Sequence, residues 1–179
     1  RELVVMGGAI NSAGNALPFA EANIAHDPEA AGLVVRTKWS VPPVLVGLDI
    51  THLATFTPQM LVDIENSTHS FASYLAAPLR FYSDAGGTFC EEGEFPCHDL
   101  LAVLAACLPV VDTDVLPLAV QYTPGPALGA TIADRRIPFF ARKGGQSIQS
   151  DDMGFNNWRI GLRVDVAMFR REISLLFGI

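Results

Sequence analysis

Two short apolar runs, each broken by glycine, constrain this chain more than any other feature: LVVMGG at 3–8 and PPVLVGLDI at 42–50. A strand with one wet face alternates apolar and polar residues, whereas a run that stays apolar suits a strand covered on both faces. Each run therefore predicts a buried strand, with the prolines of the second confined to its start. A buried strand also needs neighbours on both edges. The first run follows directly on Arg1-Glu2, without an initiator Met. This predicts an upstream portion that has been cut away or sits on another chain.

Helix signals lie between and after these runs. Asp27 is a good N-cap, Pro28 suits the first helical position and Glu29 favours the positive end of the dipole, so a helix is expected through EAAGLVVRTKW. Residues 9–26 before it are expected to form a loop. Thr57-Pro58 repeats the signal ahead of QMLVDIEN. SFASYLAAPLRFYSD is helical in pattern, with Pro78 expected to kink it. DAGGTFCEEGEFPC (84–97) reads as a mobile loop, with Glu91-Glu92 as solvated charge like Asp151-Asp152. LLAVLAACL then gives an apolar helix with Asp99 near its start. PLAVQYT and GATIADRR form an expected strand pair across PGPALG. WRIGLRVDV is a further strand, and Asp165 is the expected cap of a last helix, AMFRREISLLF. This alternation predicts an α/β fold, layered α/β/α around a mostly parallel central sheet. Ligands in such sheets sit beyond the carboxyl ends of the strands. The 9–26 loop, the Asp49-Ile50-Thr51-His52 corner and the His98-Asp99 corner are candidates for that edge.

Composition removes several function classes. The chain has 179 residues, a net charge of −7, 17% charged residues and a mean hydropathy of +0.30. It lacks the basic footprint expected of a binder of nucleic acid or anionic membrane. It carries no apolar run of membrane-spanning length. Cys90, Cys97 and Cys107 have no CxxC spacing, which favours ordinary buried thiols in a reducing compartment over a disulfide or zinc site. A soluble, cytoplasmic protein is the expectation.

Several polar residues stand out. Asn15, Glu21 and Asn23 together accept and donate several hydrogen bonds, a natural match for adjacent sugar hydroxyls. In the plainer alternative, Asn15 supports the turn after Gly14 while Glu21 and Asn23 are solvated. Met6 ends the first strand and is more often core than ligand contact. Asp99 suits a hard cation such as calcium, and His98 suits proton donation. Alternatively, Asp99 caps its helix and His98 is a loop residue. Asp49 and His52 make an unspecific pair, in which Asp49 serves most simply to satisfy backbone donors of the turn.

In order and spacing, VVMGGA (4–9), GN (14–15), AEANIAHDPEAA (20–31), VGLDITHLATFTP (46–58), CHDLLAV (97–103) and the VDV-led helix from 164 resemble the inosine–uridine-preferring nucleoside hydrolases. The resemblance implies that residues 1–179 are the C-terminal part of a single hydrolase-like domain. It implies cleavage of the N-glycosidic bond of ribonucleosides to free base and ribose, with a bound calcium ion (Ca2+), in a homo-oligomer. Carried over by position, Asn15, Glu21 and Asn23 bind ribose hydroxyls and Met6 lies close to the sugar. Asp99 is a calcium ligand, His98 donates a proton to the departing base, and Tyr82 contributes on the base side.

The chain departs from the family pattern in two places. The family's DxDxxxDD-like run, which supplies calcium ligands and activates the attacking water, is absent from these residues. Catalysis is therefore expected to need an upstream segment or companion chain. The aromatic usual between the ribose-binding Glu and Asn is here Ala22, for which Phe19 is a candidate substitute. The competing expectation is a non-catalytic truncated or split-chain remnant that binds ribosides or a partner chain. An unrelated esterase or phosphatase lacks any recognisable nucleophile motif and ranks last.

Overall fold

The first apolar run forms strand β1 (Val4–Met6), and the second forms β2 (Val44–Val46), paired in parallel with Val4 opposite Val44 and Met6 opposite Val46. The computed structural model describes residues 2–85, 93–136 and 154–179. The strands that follow are β3 (Thr55–Phe56), β4 (Phe95–Pro96), β5 (Val111–Val120), β6 (Thr131–Ala133) and β7 (Asn156–Val164). The helices are α1 (Ala22–His26), α2 (Pro28–Arg36), α3 (Leu48–Thr51), α4 (Pro58–Asn66), α5 (Ser70–Asp84), α6 (His98–Cys107) and α7 (Val166–Phe177). A five-stranded sheet runs in the order β1-β2-β7-β5-β6, and β3 pairs with β4 in a two-stranded one. β2 and β7 are parallel; β5 and β6 are antiparallel, with Ala119 opposite Ile132. This is the mixed α/β architecture, built on a mostly parallel central sheet, that the strand–helix alternation predicts.

Three local readings change. The expected loop at 9–26 contains α1, because the Glu21 side chain accepts from the amides of Asn23 and Ile24 and so starts a helical turn. The second strand ends at Val46 instead of running to Ile50. A Cβ on Gly47 would lie 2.9 Å from the Gly8 carbonyl oxygen, so the chain turns where two backbones approach closely, and α3 begins directly after. β1 is half-buried where β2 is fully buried, as suits a strand at the end of the sheet order. The other punctuation behaves as expected. Asp27, Thr57 and Asp165 accept from Ala30, Met60 and Met168 at the starts of α2, α4 and α7. α5 continues past Pro78, which lies on an exposed part of the helix and lacks the N–H of an ordinary helical residue. The Glu91-Glu92 and Asp151-Asp152 pairs and Cys90 lie outside the described residues, as do residues 86–92 of the expected 84–97 loop, whose described part includes the last residue of α5 and β4.

The chain divides into two compact units, Arg1–Asp49 with Asp112–Arg163, and Ile50–Val111 with Val164–Ile179. In the first, α1 and α2 contribute Ile24 and Val35 to a core with Leu45, Leu118, Val120, Trp158 and Ile160. In the second, Phe56 stacks on Phe95 at 5.3 Å and meets Phe177 edge-on at 5.9 Å, with Leu61, Ile64, Leu101, Phe169 and Ile173 buried. No helix among the described residues is long and apolar enough to cross a membrane.

Candidate functional site

In the first unit, the carboxyl end of β1 and the start of α1 bring four of the expected site residues into one hydrogen-bonded cluster. Asn23 donates from Nδ2 to the Met6 sulfur at 3.3 Å and the Met6 carbonyl at 3.4 Å. Asn15 accepts at Oδ1 from the Ala22 amide at 2.8 Å. Glu21 accepts from three amides: Asn23 at 2.8 Å, Gly8 at 3.1 Å and Ile24 at 3.2 Å. Glu21 is 2% exposed, so it is not the solvated residue of the plainer reading, whereas Asn15 and Asn23 do face solvent. A buried carboxylate needs such donors to replace its water shell. Phe19, the candidate substitute for the missing aromatic, is 58% exposed and lines a cavity of about 300 Å³ with Ala9, Ile10, Ser12 and Thr131.

The loop that leaves β1 is held by side chains from distant segments. The Asp49 carboxylate accepts from Ile10 at 2.9 Å, Asn11 at 2.6 Å and Ser12 at 3.2 Å. Asp49 thus satisfies backbone donors, as the simpler reading had it, but they belong to a loop some forty positions earlier and not to its own turn. Thr131 both accepts from the Ala9 amide at 2.9 Å and donates to the Ala9 carbonyl at 3.0 Å. The sequence reading missed Thr131. The available signal was a hydroxyl in an otherwise apolar strand, which, once buried, requires a partner.

The second unit holds the remaining candidates. His98 opens α6, and its Nδ1 lies 2.7 Å from the Thr51 hydroxyl. Its ring meets that of His52 edge-on at 5.7 Å. Thr51 is fully buried, so its contact fixes the rotation of the imidazole. It lay within the flagged Asp49–His52 corner without an assigned role. Asp99 sits exposed in the first turn of α6, near the positive end of the helix dipole. The N-cap position is Cys97, which makes no side-chain cap bond. Burial, and then the Asp99 charge, push the Cys97 thiol up, so it stays protonated and inert. Cys107 is exposed, contrary to the expectation of a buried thiol. Tyr82 is half-exposed on α5, edge-on to Phe95 at 5.6 Å.

Among the described residues no three His, Cys, Asp or Glu side chains converge as a metal site. Calcium takes about six to eight oxygen ligands. Asp99 alone does not fit that requirement.

Known proteins are similar to this chain in sequence and in fold. Residues 1–171 match the family model described as inosine-uridine preferring nucleoside hydrolase. A nucleoside hydrolase of that description from Crithidia fasciculata is 34% identical over 139 residues, covering 77% of this chain and 43% of the relative. A plant nucleoside hydrolase superimposes with a TM-score of 0.82 at 25% identity, over 98% of this chain and 53% of its own. A purine-preferring ribonucleoside hydrolase from Gardnerella vaginalis gives a TM-score of 0.77 at 27% identity, over 99% of this chain and 52% of its own. The chain thus spans about half the length, or less, of these relatives.

Proposed function

Given that the chain belongs to the inosine-uridine preferring nucleoside hydrolase family, we propose that it carries the sugar-gripping and base-releasing residues of a ribonucleoside hydrolase. The reaction adds water across the N-glycosidic bond and gives free base and ribose. The observation that carries this reading is the cluster that ties Met6, Asn15, Glu21 and Asn23 together at the end of β1.

The cluster suits a pentose in its detail. A carboxylate offers about four acceptor positions, and backbone amides take three of those on Glu21. The side chain is thereby held in place with room for about one hydroxyl. Asn15 uses its oxygen on Ala22, leaving its amide group to donate. Asn23 uses its amide group on Met6, leaving its oxygen to accept. The cradle thus presents both hydrogen-bonding senses, as a sugar hydroxyl requires.

Departure of the base leaves positive charge on C1′ and electrons on the base nitrogen. A protonated imidazole relieves the latter, and His98 is the residue for this role. Its ring is oriented by the contact between Nδ1 and the Thr51 hydroxyl. Tyr82 is proposed on the base side. Asp99 is proposed as one ligand of a calcium ion whose remaining ligands, and the base for the attacking water, come from a segment or companion chain bearing the acidic run. Base preference differs among the relatives, described as inosine–uridine-preferring in one and purine-preferring in another.

The test is release of base from a nucleoside panel, with and without the acidic segment, at controlled calcium. Turnover is expected with both present, and His98→Ala should lower kcat by about 10²–10⁴-fold. Unchanged turnover in a complete complex carrying His98→Ala and Asp99→Ala overturns the proposal. A second reading is riboside binding without hydrolysis, for which the hydrogen-bonded cluster at the end of β1 would suffice. Calorimetric binding with no base release under any condition would establish it.

A further inference from the structure

Five consecutive backbone amides leave β1, and all five are taken by side chains from three separate segments. Glu21 takes Gly8, Thr131 takes Ala9, and Asp49 takes Ile10, Asn11 and Ser12. A loop of this kind normally satisfies its donors with water or with its own turns. Here the donors meet anchors from the N-cap of α1, from α3 and from β6. Gly8 has φ +81°, and a Cβ there would lie 2.9 Å from the Thr131 hydroxyl, so loop and anchor are fitted to one another. The loop's first amide is held by the same carboxylate that orders Asn23, and Asn23 is bonded to Met6. Displacing the loop therefore displaces the cradle.

We infer that Asp49 and Thr131 are positioning residues for sugar recognition, holding the 8–12 loop so that Glu21 and Asn23 stand ready before the sugar arrives. The inference rests on the ribose-cradle reading. Neither residue needs to touch the sugar. Asp49 acts through three charge-assisted bonds, which are stronger than neutral ones. Thr131 acts through a two-way bond to a single residue, which a methyl group in place of the hydroxyl cannot make. A preorganised loop spares the ordering cost on binding, so its loss appears in affinity before it appears in the chemical step.

The test compares the wild type with Asp49→Asn, Thr131→Val and Thr131→Ser in the full chain, supplied with calcium and the acidic segment. It reads KM and kcat for inosine and uridine, D-ribose binding by calorimetry, and the thermal midpoint. Asp49→Asn and Thr131→Val should each raise KM and the ribose Kd about tenfold, with kcat within about threefold. Thr131→Ser keeps the hydroxyl and should stay within about twofold of wild type. Should Asp49→Asn not fold, the two Thr131 variants decide the matter alone. A lowered thermal midpoint with unchanged KM and Kd overturns the inference, because the residues are then struts of the fold and nothing more. A wild type that binds no ribose and releases no base defeats the cradle reading and this inference with it. An active wild type with unaltered variants defeats this inference alone.

Discussion

Glu21 shows how one side chain can set local structure and site chemistry together. It caps α1, accepts from Gly8 across thirteen positions of sequence, and is almost wholly buried. Glutamine is nearly isosteric but has one acceptor oxygen, and its amide group would face backbone donors. Glu21→Gln should cost about 1–3 kcal/mol of stability, because at least one buried N–H loses its partner. Denaturant unfolding at constant m-value checks this. An unchanged midpoint would show that the three amides do not depend on the carboxylate. The residue type and spacing of the cradle were legible in the sequence, but the saturation of Glu21 was not. Its partner on Gly8 depends on where the chain returns.

At the scale of elements, the caps were the most legible part of the chain, because their determinants lie within a few residues. Asp27-Pro28, Thr57-Pro58 and Asp165 each begin a helix where the sequence placed one. Asp165→Ala removes the bond to the Met168 amide and should cost about 1 kcal/mol. A lowered thermal midpoint is the expected readout, and Asp165→Asn, which still accepts, should recover most of it. α7 also ends in Gly178 with φ +65°, a left-handed stop that glycine adopts without strain. Less legible were α1 and α3. Each is about one turn long, too short for a periodic signal, and each depends on an anchor elsewhere: Glu21 on Gly8 for α1, and Leu48 N–H on the Gly8 carbonyl for α3.

At the scale of the molecule, the first unit depends on Trp158. It is 1% exposed, packs with Ile24, Val35, Leu45, Leu118, Val120 and Ile160, and donates from Nε1 to the Val35 carbonyl at 3.1 Å. Trp158→Ala should cost about 3–5 kcal/mol, from the lost transfer energy and the cavity left behind. Trp39 belongs to the same unit and is 40% exposed, so its fluorescence reports the unfolding of the variant. A loss under about 1 kcal/mol would mean that the core repacks around the gap.

Taken alone, the sequence determined the class of fold, the starts of the main helices, the strand pair across PGPALG and the family. These rest on short-range patterns such as apolar runs, caps, prolines and an ordered set of motifs. Tertiary structure alone decided which polar groups are buried and what they hold. Asp49 and Thr131 read as a turn residue and an ordinary strand residue until α3 and β6 carry them to the 8–12 loop, and Thr51 has no evident task until α6 brings His98 to its hydroxyl. The physical reason is that burying a polar atom demands a partner, while the identity of that partner is fixed by chain return over tens of residues, which no local pattern encodes.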